Sequence, residues 1–230
     1  MRTIKTSLLI CFTLLLAIGC KRDPELQPEP LTPFDIRDQL VAITIKPKTG
    51  SSKYTSVFFL QFLENNKALF ISSSATNVVG NYTLTDSELS FEVTGGNART
   101  AKFTLDKDKR ITAASYKGAG PLEYETTGEI FPLKQSNQLA GRVFKGDEMG
   151  MSGTLSRAGL NYNFSRDISS YGSGTDAAAI DNTSSSYTLY GGNAFKATTS
   201  GGTEIGYVSN GKLTVFRLSS LYYSGSYQQQ

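Results

Sequence analysis

The chain has 230 residues, 23 basic and 20 acidic side chains, and no histidine. Without imidazole there is no Ser-His-Asp or Cys-His nucleophile, no general base of that type near neutral pH, and no His-containing zinc or haem site. The near balance of charge also withholds the basic face that nucleic-acid binding by counterion release requires. Carboxylate-pair chemistry needs only Asp and Glu, but no such pair stands out. The expectation is a protein that is not an enzyme, with no catalytic residue, no cofactor, no metal and no nucleic-acid partner.

Arg2 and Lys5 precede an apolar stretch from Leu8 to Ile18, and Ala17-Ile18-Gly19 supplies the small-residue cleavage site of an export signal. Eleven residues are too few to span a hydrocarbon core, which takes about 20, so a retained membrane helix is not expected. The residue directly after the small ones is Cys20, in a chain with two cysteines. This arrangement resembles the lipobox of bacterial lipoproteins, with Ala17 where leucine is usual and Leu16 beside it. The resemblance implies lipidation of Cys20, a mature chain that begins there, and a membrane partner reached through that lipid. It also implies a place in the cell envelope, with Lys21 rather than Asp after the cysteine favouring the outer membrane. An ordinary secretory signal is the alternative. Cleavage removes Arg2, Lys5 and Cys11, leaving 21 basic against 20 acidic groups and no partner for an intramolecular disulfide.

Lys21 to Pro33 holds four of the seven prolines and no apolar periodicity. It reads as a tether over 20–34; in polyproline II, at ~3.1 Å per residue, it reaches roughly 40 Å.

Beyond Arg37 the pattern is all-β, an antiparallel meander. Leu89-Ser-Phe91-Glu-Val93 alternates cleanly, Phe103-Thr-Leu105 and Ile111-Thr-Ala113 more briefly. Turn chemistry recurs at Glu64–Lys67, Thr85–Glu88, Asp106–Lys109, Gly191-Gly192 and Asn210-Gly211. Val57 to Leu63 is apolar on both faces, which suits a central strand in two layers or a barrel strand whose outside is covered. Asp176 to Ile180 could make one helical turn. Ala68-Leu-Phe70 and Gly80 to Phe91 resemble Asn193-Ala-Phe195 and Gly206 to Val215, a weak internal repeat. The division is therefore a signal at 1–19, the tether, a β-domain at 35–133, and a second β-domain or continuation at 138–230, with a seam at Pro132 to Asn137. One larger barrel made from both halves is the alternative.

The strand from Phe58 to Phe62, the hairpin from Gly80 to Phe91 and the hairpin from Phe103 to Tyr116 resemble lipocalin-like β-barrel domains of bacterial lipoproteins. Leu139 to Phe144 looks like an opening strand of the second half and Tyr222 to Tyr227 a closing one. Lipocalins carry Gly-x-Trp on the first strand and this chain has no Trp, so no family binding residue is carried over. The resemblance implies a small up-and-down barrel whose interior takes an apolar ligand. In that reading Phe58, Leu60, Phe62, Phe70, Tyr82 and Phe91 face inward and line the ligand site; side chains that fill the barrel completely are the alternative.

Several motif matches are set aside. Ser209-Asn-Gly-Lys212 and Lys48-Thr-Gly50 match pieces of penicillin-recognising enzymes in the wrong order, and Asn210-Gly211 predicts a type I′ turn instead. Gly172 to Ala177 fits G-x-G-x-x-A without a βαβ unit and reads as a flexible loop. Asp106-Lys-Asp108 lacks the further oxygens of a calcium loop. Eight of twelve tyrosines follow residue 133, and an exposed patch at Tyr187, Tyr190 and Tyr207 is the second functional expectation: a surface for a protein partner or glycan.

Overall fold

The computed structural model describes residues 33–176 and 185–230. The expected export signal, Cys20 and nearly all of the expected tether lie outside the described residues, as does most of the helical turn expected at 176–180. Asp35–Gln230 is one compact unit.

Two antiparallel sheets make up this unit, preceded by one 3-10 turn at Ile36–Asp38. The first sheet holds β1 (Gln39–Pro47), β2 (Ser56–Phe62), β3 (Lys67–Ile71), β4 (Val78–Leu84), β5 (Glu88–Val93), β6 (Arg99–Leu105), β7 (Ile111–Lys117) and β8 (Tyr124–Pro132). Its order is β7-β6-β5-β4-β3-β2-β1-β8. The second holds β9 (Val143–Gly150), β10 (Leu155–Phe164), β11 (Ser170–Gly174), β12 (Ser185–Ser186), β13 (Thr188–Tyr190), β14 (Ala194–Thr199), β15 (Gly202–Ser209), β16 (Lys212–Leu218) and β17 (Tyr222–Gln229). Its order is β12-β11-β10-β9-β17-β16-β15-β14-β13.

Strand twist curls each meander until its first and last strands pair, β1 with β8 and β9 with β17. Each barrel is nearly closed. In the first, β7 runs beside β8 without a hydrogen-bonded ladder; in the second, the gap falls where the chain steps from β12 to β13. Among the described residues no strand of one sheet pairs with a strand of the other, so the single larger barrel is not formed. Once β8 has returned to β1, the backbone donors at that edge are used and the second half closes on itself. Leu139 to Arg142 is a turn, and the opening strand begins only at Val143.

The hairpins follow their turn residues. A type I′ turn needs positive φ at both central positions, and Asn65 and Asn66 adopt 56° and 55°, Asn210 and Gly211 51° and 72°. Ser209-Asn-Gly-Lys212 is thus the β15–β16 hairpin. Asp106 closes the β6–β7 turn by accepting the backbone N–H groups of Asp108 and Arg110 at 2.9 and 2.8 Å. Gly172 to Gly174 corrects the loop reading: these residues belong to β11, paired with β10. The repeat survives as strand order and not as register. Gly206 stands opposite Phe195, whereas Gly80 stands opposite Ala68 rather than Phe70.

β2 accounts for its two apolar faces. Phe58, Leu60 and Phe62 point into the first barrel, while Val57 and Phe59 point out against the second. Leu40, Ala42 and Ile71 join them, and Ala194, Ile205, Tyr207 and Phe216 meet them from the other side. This seam gives the unit a third apolar core. Lys196 crosses it to donate to the Ser74 carbonyl at 2.7 Å.

Candidate functional site

The six residues expected to line a lumen all face the interior of the first barrel. There they touch one another. Phe58 lies 4.9 Å from Phe70 and 5.4 Å from Tyr116, Phe62 lies 5.0 Å from Tyr82, and Phe70 stacks 5.9 Å from Phe91. Leu60 and Phe70 have no surface that water can reach from outside or from within, and the Arg99 guanidinium caps the Phe70 ring at 4.7 Å. Around Leu60 and Phe70 side chains occupy the interior, as in small barrels whose lumen is just wide enough for them, while Phe58 is only partly buried.

The tyrosine patch is corrected. Tyr187 is buried in the second barrel, edge-on to Phe164 at 5.5 Å, and its hydroxyl accepts from Asn137 Nδ2. Tyr190 is half-buried against Phe59, and Tyr207 is buried in the seam. The three lie in two different cores; Tyr187 and Tyr190 border one small recess, and Tyr207 is not part of it. The cause is β alternation: a tyrosine on either face of a strand is covered when both faces are packed.

The open site lies where the seam stops. On β1 the outward residues run Leu40, Ala42, Thr44, Lys46; on β16 they run Phe216, Thr214, Lys212; on β15, Ile205, Tyr207, Ser209. Each stripe passes from apolar to polar in the same direction, so the two barrels adhere at one end and part at the other. The parted end is a cleft of about 900 Å³ walled by both barrels. Its sides are Thr44, Lys46, Lys53 and Thr127 from the first barrel, and Lys145, Asp147, Lys212, Thr214 and Ser226 from the second.

Tyr207 marks the boundary. Its ring packs in the seam 5.8 Å from Phe131, and its hydroxyl lies 3.1 Å from Thr44 Oγ1 and donates to Glu129 Oε1 at 3.4 Å. Burial, reinforced by the Glu129 carboxylate and partly opposed by the Thr44 contact, pushes this hydroxyl up to about 12, which keeps it a donor. Ser209 Oγ donates to the other oxygen of Glu129 at 2.5 Å. Asp147 accepts the Gly159 N–H at 2.8 Å. The lysines are different: among the described residues no carboxylate lies within 4 Å of the ammonium groups of Lys46, Lys53, Lys145 or Lys212. A smaller recess of about 490 Å³ lies at the β7–β8 edge beside Tyr116 and Tyr124, but its Lys48 is already paired with Glu123 at 3.7 Å.

No family model, no curated protein and no solved structure matches the chain.

The second barrel also buries charge. Glu148, 1% exposed, receives two hydrogen bonds each from Arg157 and Arg217, between 2.7 and 2.9 Å. Burial alone would raise its carboxyl, but the two guanidinium groups outweigh burial and lower it. Glu204 accepts the Tyr171 hydroxyl at 2.8 Å, and burial raises its carboxyl. Among the described residues no group of three or more acidic, Cys or His side chains is arranged to hold a metal ion.

Sequence reasoning passed over the cleft residues because each is an ordinary outward polar residue on its own strand. The available signal was the shared apolar-to-polar gradient of the β1, β15 and β16 stripes, which gains meaning only once those faces are known to meet.

Proposed function

We propose that this is a lipid-anchored cell-envelope protein whose role is non-catalytic binding, and that the binding site is the cleft between the barrels rather than a barrel lumen. The cleft carries the reading: its ~900 Å³ lies within the range of ligand sites, while the aromatic side chains of the first barrel already occupy the space an apolar guest would need. The anchor rests on the export signal ending at Cys20 and on the proline-rich tether, which together would hold the body away from an outer-membrane surface. The walls are mainly hydroxyl, amide and ammonium groups, which recognise polar ligands by hydrogen bonding and charge.

Two measurements test the two parts. Mass spectrometry of the N-terminal peptide from protein isolated from its host membranes is expected to find acyl chains on Cys20; an unmodified, uncleaved Cys20 defeats the anchor. Backbone amide shifts are then followed while oligosaccharides released from the same envelope are titrated in. Shifts clustered at Thr44, Lys145, Thr214 and Ser226 support the cleft, whereas shifts centred on Phe58, Phe70 and Phe91 would restore uptake into the lumen.

A further inference from the structure

The geometry points to an anionic oligosaccharide, with carboxylate or sulfate groups on its sugars, as the ligand class of the inter-barrel cleft; the inference rests on the cleft being the binding site. Three observations carry it. The cleft holds four lysines without a carboxylate partner, while its two acidic side chains are engaged internally, Glu129 at both oxygens and Asp147 by the Gly159 N–H. Four lysines against two carboxylates leave the cleft with an excess of positive charge, and protein walls focus the field on a ligand more than a flat surface would. The sheet sets the spacing of two of the lysines. Lys145, Gln228 and Lys212 stand in one row across β9, β17 and β16, and with strands ~4.8 Å apart the two lysines rise from backbone roughly 10 Å apart. Facing them across the cleft are Lys53 and Lys46; Glu125 stands opposite Lys46 in register, without an ion pair. Finally, the surface between the lysines is hydroxyl and amide, from Thr44, Thr127, Thr214, Ser226 and Gln228. A sugar chain bearing several acid groups matches this pattern, with ring hydroxyls on the Ser and Thr groups and acid groups on the lysines. A fatty acid or a membrane matches it less well, because most of the lining side chains are hydroxyl, amide or charged groups.

The test uses the purified full chain and four probes: hexagalacturonate, a sulfated hexasaccharide, neutral maltohexaose, and phosphatidylglycerol–phosphatidylcholine vesicles. Binding is measured by calorimetry. At least one anionic hexamer is expected to bind at least five times more tightly than maltohexaose, and to weaken several-fold as salt rises from ~50 to ~500 mM. Lys145→Gln combined with Lys212→Gln is expected to reduce that affinity about 5- to 10-fold, the scale of two partly exposed charge contacts. Ser226→Trp, which puts an indole on the outward face of β17, is expected to abolish binding while leaving the melting temperature unchanged. Which anionic hexamer binds separates carboxylate from sulfate recognition. Equal binding of maltohexaose, independent of salt and of the lysines but lost in Ser226→Trp, overturns the anionic inference and keeps the cleft. Binding unaffected by Ser226→Trp overturns both. Failure of both anionic hexamers at millimolar concentration, or binding to the vesicles alone, overturns the anionic oligosaccharide.

Discussion

Phe59→Ala tests whether the seam holds the cleft in shape. Phe59 is fully buried, projects from β2 away from its own barrel, and lies 5.9 Å from the Tyr190 ring on the other side of the seam. Truncation loses the transfer free energy of the ring, ~1.5–3 kcal/mol, and adds the cost of a void that rigid strands on both sides close only in part. Phe→Ala changes in cores cost about 3–5 kcal/mol; Tyr190 is half-buried and free to lean into the space, so the lower end, about 3 kcal/mol, is expected. For a domain of this size each kcal/mol lowers the melting temperature by roughly 2–4 °C, giving a fall of roughly 6–12 °C. Because the loss falls on the contact that couples the barrels, the calorimetric transition should also broaden or split, and amides of Thr44 and Ser209 at the cleft floor should exchange faster. Val79→Ala, at an exposed position on β4, serves as the control and should change stability by less than ~0.5 kcal/mol. A Phe59→Ala protein that melts within ~2 °C of the parent in one sharp transition would show that the seam does not couple the barrels.

The buried charges give two further predictions. Glu148→Gln leaves Arg157 and Arg217 facing an amide that supplies no charge and turns two N–H donors toward them. Removing one partner of a buried ion pair costs about 3–5 kcal/mol, and the partial exposure of the arginines, 34% and 15%, lowers the expectation to about 2–4 kcal/mol in urea melts; a loss under ~1 kcal/mol would mean the pair contributes no more than a surface bridge. For Glu204 burial raises the carboxyl above its ordinary 4.5, so the folded state holds the proton more tightly than the unfolded chain and stability falls as pH rises from the unfolded value through the folded one. Glu204→Gln keeps an acceptor for the Tyr171 hydroxyl and removes that ionisation. Thermal melts should therefore find the variant close to the parent at pH 4 and more stable at pH 8. A variant less stable than the parent at pH 8 would mean that Glu204 works as an ionised partner of Arg217.

Much of the fold was legible because its determinants are local. Leu89, Phe91 and Val93 alternate with polar residues and occupy the inner face of β5; Asn65-Asn66 and Asn210-Gly211 form the tight turns their backbone tolerance allows. Even the double-sided run from Val57 to Leu63 declared that both faces of β2 would be covered. The tyrosines and the cleft were not legible in that way. Tyr187 and Tyr207 look alike along the chain, yet one enters the second barrel and the other the seam. Glu129 meets Ser209 and Thr44 meets Tyr207 across 80 and 163 positions of chain.

The sequence by itself determined an all-β chain of short antiparallel strands and their turns, because alternation and turn chemistry act within a few residues. Only the tertiary structure decided that two barrels form rather than one, that aromatic side chains pack the first, and that lysines from β1, β9, β16 and the β1–β2 connection converge on one cleft. A period of two states that a strand has two faces; which surface covers each face depends on pairings made far along the chain.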